Sequence, residues 1–264
     1  MSASRPSLPT FGFVTLHEAP LADGIAREAE WLARVAGTGR PAAHLWRGLP
    51  GFVVPRSYER RPRWAEACAA SAAAGWPVQV RASGGGLVPQ GPGVLNLSLG
   101  WRIEDAGRAD IDATYRAFTD ELAGAFARLG IEASAQAVEG SFCDGRFNLA
   151  VDGRKIVGTA QAWRRIGGRQ VVLSHAVVVV TADPSALTEA ANRFEAASDG
   201  PRRYRADALA SLAGAWAHAH PGEGVPADFE RRVERALAEH FARVVPPTVH
   251  ASPATAPLPP PSVG

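Results

Sequence analysis

The stretch that most limits what this chain can fold into runs from residue 147 to 180, FNLAVDGRKIVGTAQAWRRIGGRQVVLSHAVVVV. It holds three strand-like runs, 147–152, 155–163 and 170–180, separated by Asp152-Gly153 and Gly167-Gly168. Asp-Gly and Gly-Gly suit two-residue hairpin turns, because both central positions take positive φ. Three strands closed by two tight hairpins make an antiparallel meander, and the rest of the chain must pack around it.

Upstream, the runs AAHLWR (42–47), GFVVP (51–55) and VQVR (78–81) read as strands, and GVLNLSLGW (93–101) alternates like a half-buried one. Helical spacing covers 20–35, with Leu21, Ile25, Trp31 and Leu32 near one face. It returns at 111–129, with Ile111, Tyr115, Phe118, Leu122, Phe126 and Leu129, ended by Gly130. The alanine-rich 64–74, with Cys68 as a small packed hydrophobe, is a helix by propensity. Further helices are expected at 185–197, 208–218 and 228–245, the last with Phe229, Val233, Leu237 and Phe241 in one stripe. The balance predicts an α+β fold, a mixed, mostly antiparallel sheet flanked by helices. A chain of 264 residues, 46% hydrophobic, can bury one such core. The expected divisions are a flexible lead-in over 1–11, one domain over 12–245 and a Pro-rich, disordered tail over 246–264.

Charge and cysteine usage exclude several classes. The net charge of +2 is spread among scattered basic residues, which argues against a nucleic-acid partner. The pairs Arg60-Arg61 and Arg202-Arg203 read as solvated faces. Cys68 and Cys143 have no metal-ligand spacing, so no metal site is expected. No apolar run approaches the ~18 residues of a membrane span, and no leader pattern opens the chain, so a cytoplasmic protein without a membrane partner is expected.

Two features point to chemistry. Of 28 lysines and arginines, Lys155 alone is lysine. An ammonium is a compact point charge on a thin stem, whereas guanidinium is broad and planar, so a narrow pocket can take the first and refuse the second. The alternative is a chance survivor on a solvent-facing hairpin. The second feature is RASGGGLVPQGPG, residues 81–93. Three glycines after a strand leave backbone N–H groups open to a ligand, with Arg81 and Ser83 beside them and Gly91 and Gly93 at a second corner. A plain surface loop is the competing reading, and neither the Walker nor the Rossmann spacing is matched.

Together, RASGGG…GPGVLNLSL, FNLAVDGRKIVGTAQ and LSHAVVVV resemble the catalytic domain of the lipoate–protein ligase and octanoyltransferase family, relatives of biotin–protein ligases, across roughly 12–245. The resemblance implies that Arg81, Ser83, Gly84, Gly85 and Gly86 wall the acyl tunnel and nucleotide site. It also implies that Lys155 holds the acyl carbonyl within a block continued by Gly158, Thr159 and Ala160, and that His175 stands on the next strand. The chain departs from the family at Gln90, which stands where a histidine is usual, and at Ala176-Val177 after His175.

The implied activity is attachment of a lipoyl or octanoyl group to a lysine of a lipoyl carrier domain, from a 2-oxoacid dehydrogenase E2 or the glycine cleavage H protein. Two routes remain open, the ligase taken first and the transferase as its alternative. A ligase would activate free lipoate or octanoate with ATP and Mg²⁺ as an acyl-adenylate, with Asn148 and Asp144 beside the site. A transferase would need neither, taking octanoyl from octanoyl-acyl carrier protein onto Cys143, twelve residues before Lys155, with Arg146 and Lys155 favouring the thiolate. A non-catalytic acyl- or nucleotide-binding relative is the third reading. Arg102, Arg146, Arg164 and Arg165 are candidates for a basic rim that docks the carrier.

Overall fold

A computed structural model describes residues 9–81, 84–103 and 110–247, and both hairpin signals are realised in it. Asp152 and Gly153 have φ of 49° and 72°, and Gly167 and Gly168 have 54° and 75°, the two positive values that each turn requires. The strands are β1 (Val14–Leu16), β2 (Ala42–Trp46), β3 (Gly51–Pro55), β4 (Val78–Arg81), β5 (Val88–Gln90), β6 (Val94–Ile103), β7 (Ser134–Gln136), β8 (Asn148–Val151), β9 (Arg154–Ile166) and β10 (Arg169–Val179). The helices are α1 (Gly24–Thr38), α2 (Trp64–Ala73), α3 (Ile111–Ala127), α4 (Pro184–Ala197), α5 (Leu212–Ala219) and α6 (Phe229–Phe241).

Seven strands form one sheet in the order β1-β2-β6-β10-β9-β8-β7, antiparallel throughout except for β1 beside β2. A smaller sheet, β4-β3-β5, has one parallel and one antiparallel pair. The expected mixed, mostly antiparallel sheet with flanking helices is therefore present.

On one face of the large sheet, Leu95, Leu97, Leu99 and Trp101 pack with Phe118, Leu122 and Phe126 of α3 and with the α6 stripe Phe229, Val233, Leu237 and Phe241. Each large side chain buried this way is worth roughly 1.5–3 kcal/mol, so the α6 stripe alone ties the C-terminal helix firmly to the sheet. The small sheet, α2 and α4 share a second core built around Phe52, Tyr58, Leu87 and Phe194. With α1 across β6 and β10, the central strands are covered on both sides.

This covering corrects the half-buried reading of residues 93–101, because Val94 to Trp101 are all buried. The polar positions Asn96 and Ser98 alternate as expected, but they face a buried polar network rather than water. The first helix begins at Gly24, not residue 20. A Cβ at Gly24 would stand 2.0 Å from the Trp46 ring, so glycine permits the close approach of α1. Its buried stripe is Gly24, Glu28, Leu32 and Val35, while Trp31 stacks on His44 outside the core. The helix expected over 208–218 starts at Leu212, where the Ser211 side chain accepts from Gly214 N–H. Strands β1, β5 and β7, three residues each, are too short to show a period.

Of the lead-in, residues 9–11 are described, and Phe11 is buried against Trp101 with its N–H on Val244 O. The expected tail lies outside the described residues from 248 onward.

The Arg60-Arg61 pair also departs from expectation. Arg61 turns inward and pairs with the fully buried Glu195 at 2.9 Å, while Tyr58 and Tyr204 donate hydroxyls to the same carboxylate at 2.6 and 3.1 Å. Burial, together with this carboxylate, pushes both phenols above their ordinary range. Tyr58 also accepts from Leu87 N–H, so the cluster supports the end of the glycine loop. Breaking a buried pair from one side costs ~3 kcal/mol. Glu195→Gln should accordingly lower the melting temperature by roughly 6–12 °C, read by calorimetry. A shift under 2 °C would show that the cluster is not a structural keystone.

Candidate active site

Directly opposed residues of antiparallel strands share a face. Gly158 opposes Val177, Ala160 opposes His175, and Ala162 opposes Leu173 across β9 and β10. The small residues at alternate positions of β9 leave a trough in the sheet, and these six line a mostly apolar cavity. Ile25 and Glu28 of α1 and Val53, Val88 and Gln90 of the small sheet cover it, with Cys143 and Lys155 at one end.

Lys155 is buried, 5% exposed, and its Nζ donates to the carbonyls of Phe142 and Cys143. Its own carbonyl accepts from Ala210 N–H at 2.9 Å, which anchors the strand beneath it. Burial lowers the ammonium from its ordinary value near 10.5 to about 8, against the opposing pull of Cys143 and Asp144. A Cβ at Gly158 would lie 3.0 Å from Nζ, so the glycine of this block makes room for the lysine.

Cys143 has φ of 53°, the left-handed region that costs a non-glycine residue about 1–2 kcal/mol. Three donors meet on the Cys143 carbonyl and hold it there: Lys155 Nζ at 3.1 Å, Asn148 Nδ2 at 2.8 Å and the Gly145 N–H at 2.9 Å. Such over-determined strain clusters at functional sites. Thr159 fixes the far end of the same loop by donating to Phe147 O at 2.6 Å.

The glycine loop closes over this cysteine. Arg81 ties the loop to the small sheet, donating to Val53 O at 3.0 Å, Gly84 O at 2.9 Å and Gly86 O at 2.8 Å. A Cβ at Gly85 would stand 2.9 Å from both Cys143 Sγ and Arg81 Nη2. A Cβ at Gly86 would stand 2.7 Å from Arg202 Nη1. The glycines thus bring Cys143, Arg81 and Arg202 to one place, and Arg202 is half-buried rather than on a solvated face. Ser83 lies outside the described residues. Gly91 and Gly93 form the corner before β6, packed on Pro50 and Ala182, and do not line the cavity.

Midway along the trough, opposite Ala160, His175 Nδ1 meets Glu28 Oε1 at 2.5 Å and Ser98 Oγ at 3.2 Å. Ser98 donates to Glu28 at 2.7 Å and accepts from Trp46 Nε1 at 2.9 Å. Glu28 was not among the sequence candidates. Its signal is an acid on the apolar stripe of a helix, i+4 from Gly24 and i−4 from Leu32. Gln90 is locked by reciprocal amide bonds to Asn96 at 2.7 and 3.0 Å, a structural pairing at the cavity wall.

Other expectations separate from the site. Arg146 pairs with Asp112 at 2.5 Å, so it does not support the Cys143 thiol as expected. Arg164 and Arg165 lie nine and ten residues beyond Lys155 on β9, roughly 30 Å along the strand, and Arg102 lies opposite Val171 at that same distant end. Among the described residues, no group of three or more His, Cys, Asp and Glu side chains is placed to hold a metal ion, and no helix is long and apolar enough to cross a membrane.

A profile of the lipoyl protein ligase A/B catalytic domain matches residues 21–225. An uncharacterised protein of Cupriavidus necator is 45% identical over 73% of this chain and 79% of its own length. The octanoyl-GcvH:protein N-octanoyltransferase of Kyrpidia tusciae is 36% identical over 82% of this chain and 76% of its own. In fold, the chain is similar to lipoate-protein ligase A bound with ATP, with a TM-score of 0.65 at 19% identity, covering 88% of this chain and 84% of that one. It is also similar to protein Ta0514 from T. acidophilum with bound lipoic acid, with a TM-score of 0.62 at 20% identity and the same coverage.

Proposed function

The chain belongs to the lipoyl protein ligase A/B catalytic-domain family, enzymes that transfer lipoyl or octanoyl groups to protein lysine, and from that premise we propose that it moves octanoyl between carriers through a thioester on Cys143. One observation carries this choice over the adenylate route that the sequence placed first. Cys143 is held in a strained conformation over the glycine loop by Lys155 and Asn148, at the end of an apolar cavity. Adenylate formation needs no cysteine, and nothing about that route calls for strain at this residue.

In this reading the octanoyl chain lies in the trough over Gly158, Ala160 and Ala162, with its carbonyl towards Cys143. The thiolate sulfur bonds to the acyl carbon as the bond to the donor's leaving group breaks. The departing amine or thiol takes its proton from Lys155. The neutral amine of the acceptor lysine then attacks the thioester, the new amide forms, the carbon–sulfur bond breaks, and the amine's proton passes to Lys155. A lysine near pKa 8 suits this shuttle, since general acid–base efficiency is greatest when the group titrates near the working pH. The carriers follow the Kyrpidia relative's name: octanoylated glycine cleavage H protein as donor and a second lipoyl domain as acceptor. Octanoyl-acyl carrier protein is the other donor to try.

Intact-protein mass spectrometry after mixing with either donor, without ATP, tests the reading. A covalent octanoyl adduct on Cys143 is the expected result. No adduct, together with transfer that appears only when octanoate, ATP and Mg²⁺ are added, would overturn it in favour of the adenylate route.

A further inference from the structure

A basic surface that the sequence did not single out borders the Cys143 loop. Two segments far apart in the chain, 56–63 and 199–207, come together through Glu195. Arg61 binds Glu195 and donates to Ser198 Oγ at 2.7 Å, and Tyr58 and Tyr204 share the same carboxylate. The two segments hold seven arginines against Glu59, Asp199 and Asp207. That excess is larger than the net charge of +2 on the whole chain, even after Arg61 is set against Glu195, so the remainder of the protein is net negative.

This surface adjoins the reactive loop directly. Arg202 stands over Gly86, and the Arg205 side chain packs on Gly140, with its backbone N–H on Gly140 O at 2.9 Å, three residues before Cys143. Arg56, Arg60, Arg63, Arg203 and Arg205 are exposed. Local pairing uses part of this charge, Arg63 with Glu66 and Arg205 with Asp207. Arg56 and Arg60 have no side-chain partner among the described residues.

Resting on the Cys143 thioester reading, we infer that segments 56–63 and 199–207 form the docking rim for the carrier protein, and that they recognise an acidic surface flanking its lysine. A lysine delivered to Cys143 arrives beside Arg202 and Arg205, with the exposed Arg203 between them in sequence. Only a partner whose neighbouring residues are acidic gains from that approach, while the partner's lysine itself is repelled unless it enters the cavity mouth. Attraction of this kind acts mainly on association rate, by factors of roughly 10–10³, and fades as salt rises.

The test is the double variant Arg60→Glu/Arg203→Glu, assayed with octanoylated glycine cleavage H protein and, separately, with a small activated octanoyl ester as donor. Transfer from the protein donor should fall at least ~10-fold in kcat/KM at low salt, and its salt dependence should flatten. Loading of Cys143 from the small ester should stay at the wild-type rate, which shows the fold and the nucleophile intact. Arg60→Lys/Arg203→Lys should behave as wild type, as should Arg164→Glu/Arg165→Glu at the distant end of β9. Wild-type kinetics in Arg60→Glu/Arg203→Glu, or an equal loss in Arg164→Glu/Arg165→Glu, would overturn the rim. Absence of ester loading in the wild type would instead overturn the thioester reading.

Discussion

Cys143→Ala is expected to abolish transfer from a protein-bound octanoyl donor, by ~10³-fold or more, and to remove any covalent adduct. Loss of a nucleophile leaves binding and positioning groups that cannot make the intermediate. Stability should move in the other direction when the replacement is glycine. Cys143 occupies φ of 53°, where glycine carries no steric penalty, so Cys143→Gly should stabilise the protein by about 1 kcal/mol while remaining inactive. A residue kept for packing would show the opposite pattern, with stability lost and transfer retained. Activity assays and denaturant titrations on Cys143→Ala and Cys143→Gly separate the two outcomes, and transfer within 10-fold of wild type in either variant would sink the nucleophile assignment.

Lys155→Met should lower transfer by ~10²–10⁴-fold, the range for removal of a general acid–base group, and should also raise stability at neutral pH. The ammonium is buried, and its value near 8, against 10.5 in the unfolded chain, means that folding must disfavour the charged form. At pH 7 the group is protonated in both states, and each unit of difference is about 1.4 kcal/mol. The penalty is thus on the order of 3 kcal/mol, offset by ~1 kcal/mol for the hydrogen bond that Phe142 O would lose. Cys143 O would keep Asn148.

The sign with pH follows from proton counts. Between about 8 and 10.5 the unfolded chain binds more protons than the folded one, so wild-type stability rises across that window. The advantage of Lys155→Met should therefore be full below pH 8 and shrink as pH approaches 10.5. Equal stabilities of the two proteins at pH 7, or an advantage that grows with pH, would show that Lys155 is not held against its charge. Lys155→Arg should also lose transfer, because the pocket that Gly158 opens for a thin ammonium has no width for guanidinium.

Much of the fold was legible because its signals are local. A hairpin is dictated by two turn residues, and an amphipathic helix by a four-residue step. The meander of β8, β9 and β10 and the α6 stripe therefore stood in the sequence itself, and so did the lone Lys155 with its glycine at 158. Charge misled wherever its meaning depended on burial. Arg61 was read as a solvated residue, and it is the partner of a carboxylate 134 positions away with no exposure at all. Arg202 had the same reading, and it stands over the glycine loop.

Glu28 and His175 are separated by 147 residues, and nothing in either neighbourhood announces the other. Cys143 could be named as a candidate, but its left-handed conformation is held by two side chains reaching back to its carbonyl beside the local Gly145 N–H. The sequence alone determined the longer strands, the cores of the helices and which residues carry reactive groups, because those depend on neighbours within a turn or a pleat. Which charges are buried, which glycines hold atoms of distant segments close, and which arginines stand near the nucleophile were decided by tertiary packing. Desolvation and through-space contact depend on segments that meet only when the sheet closes.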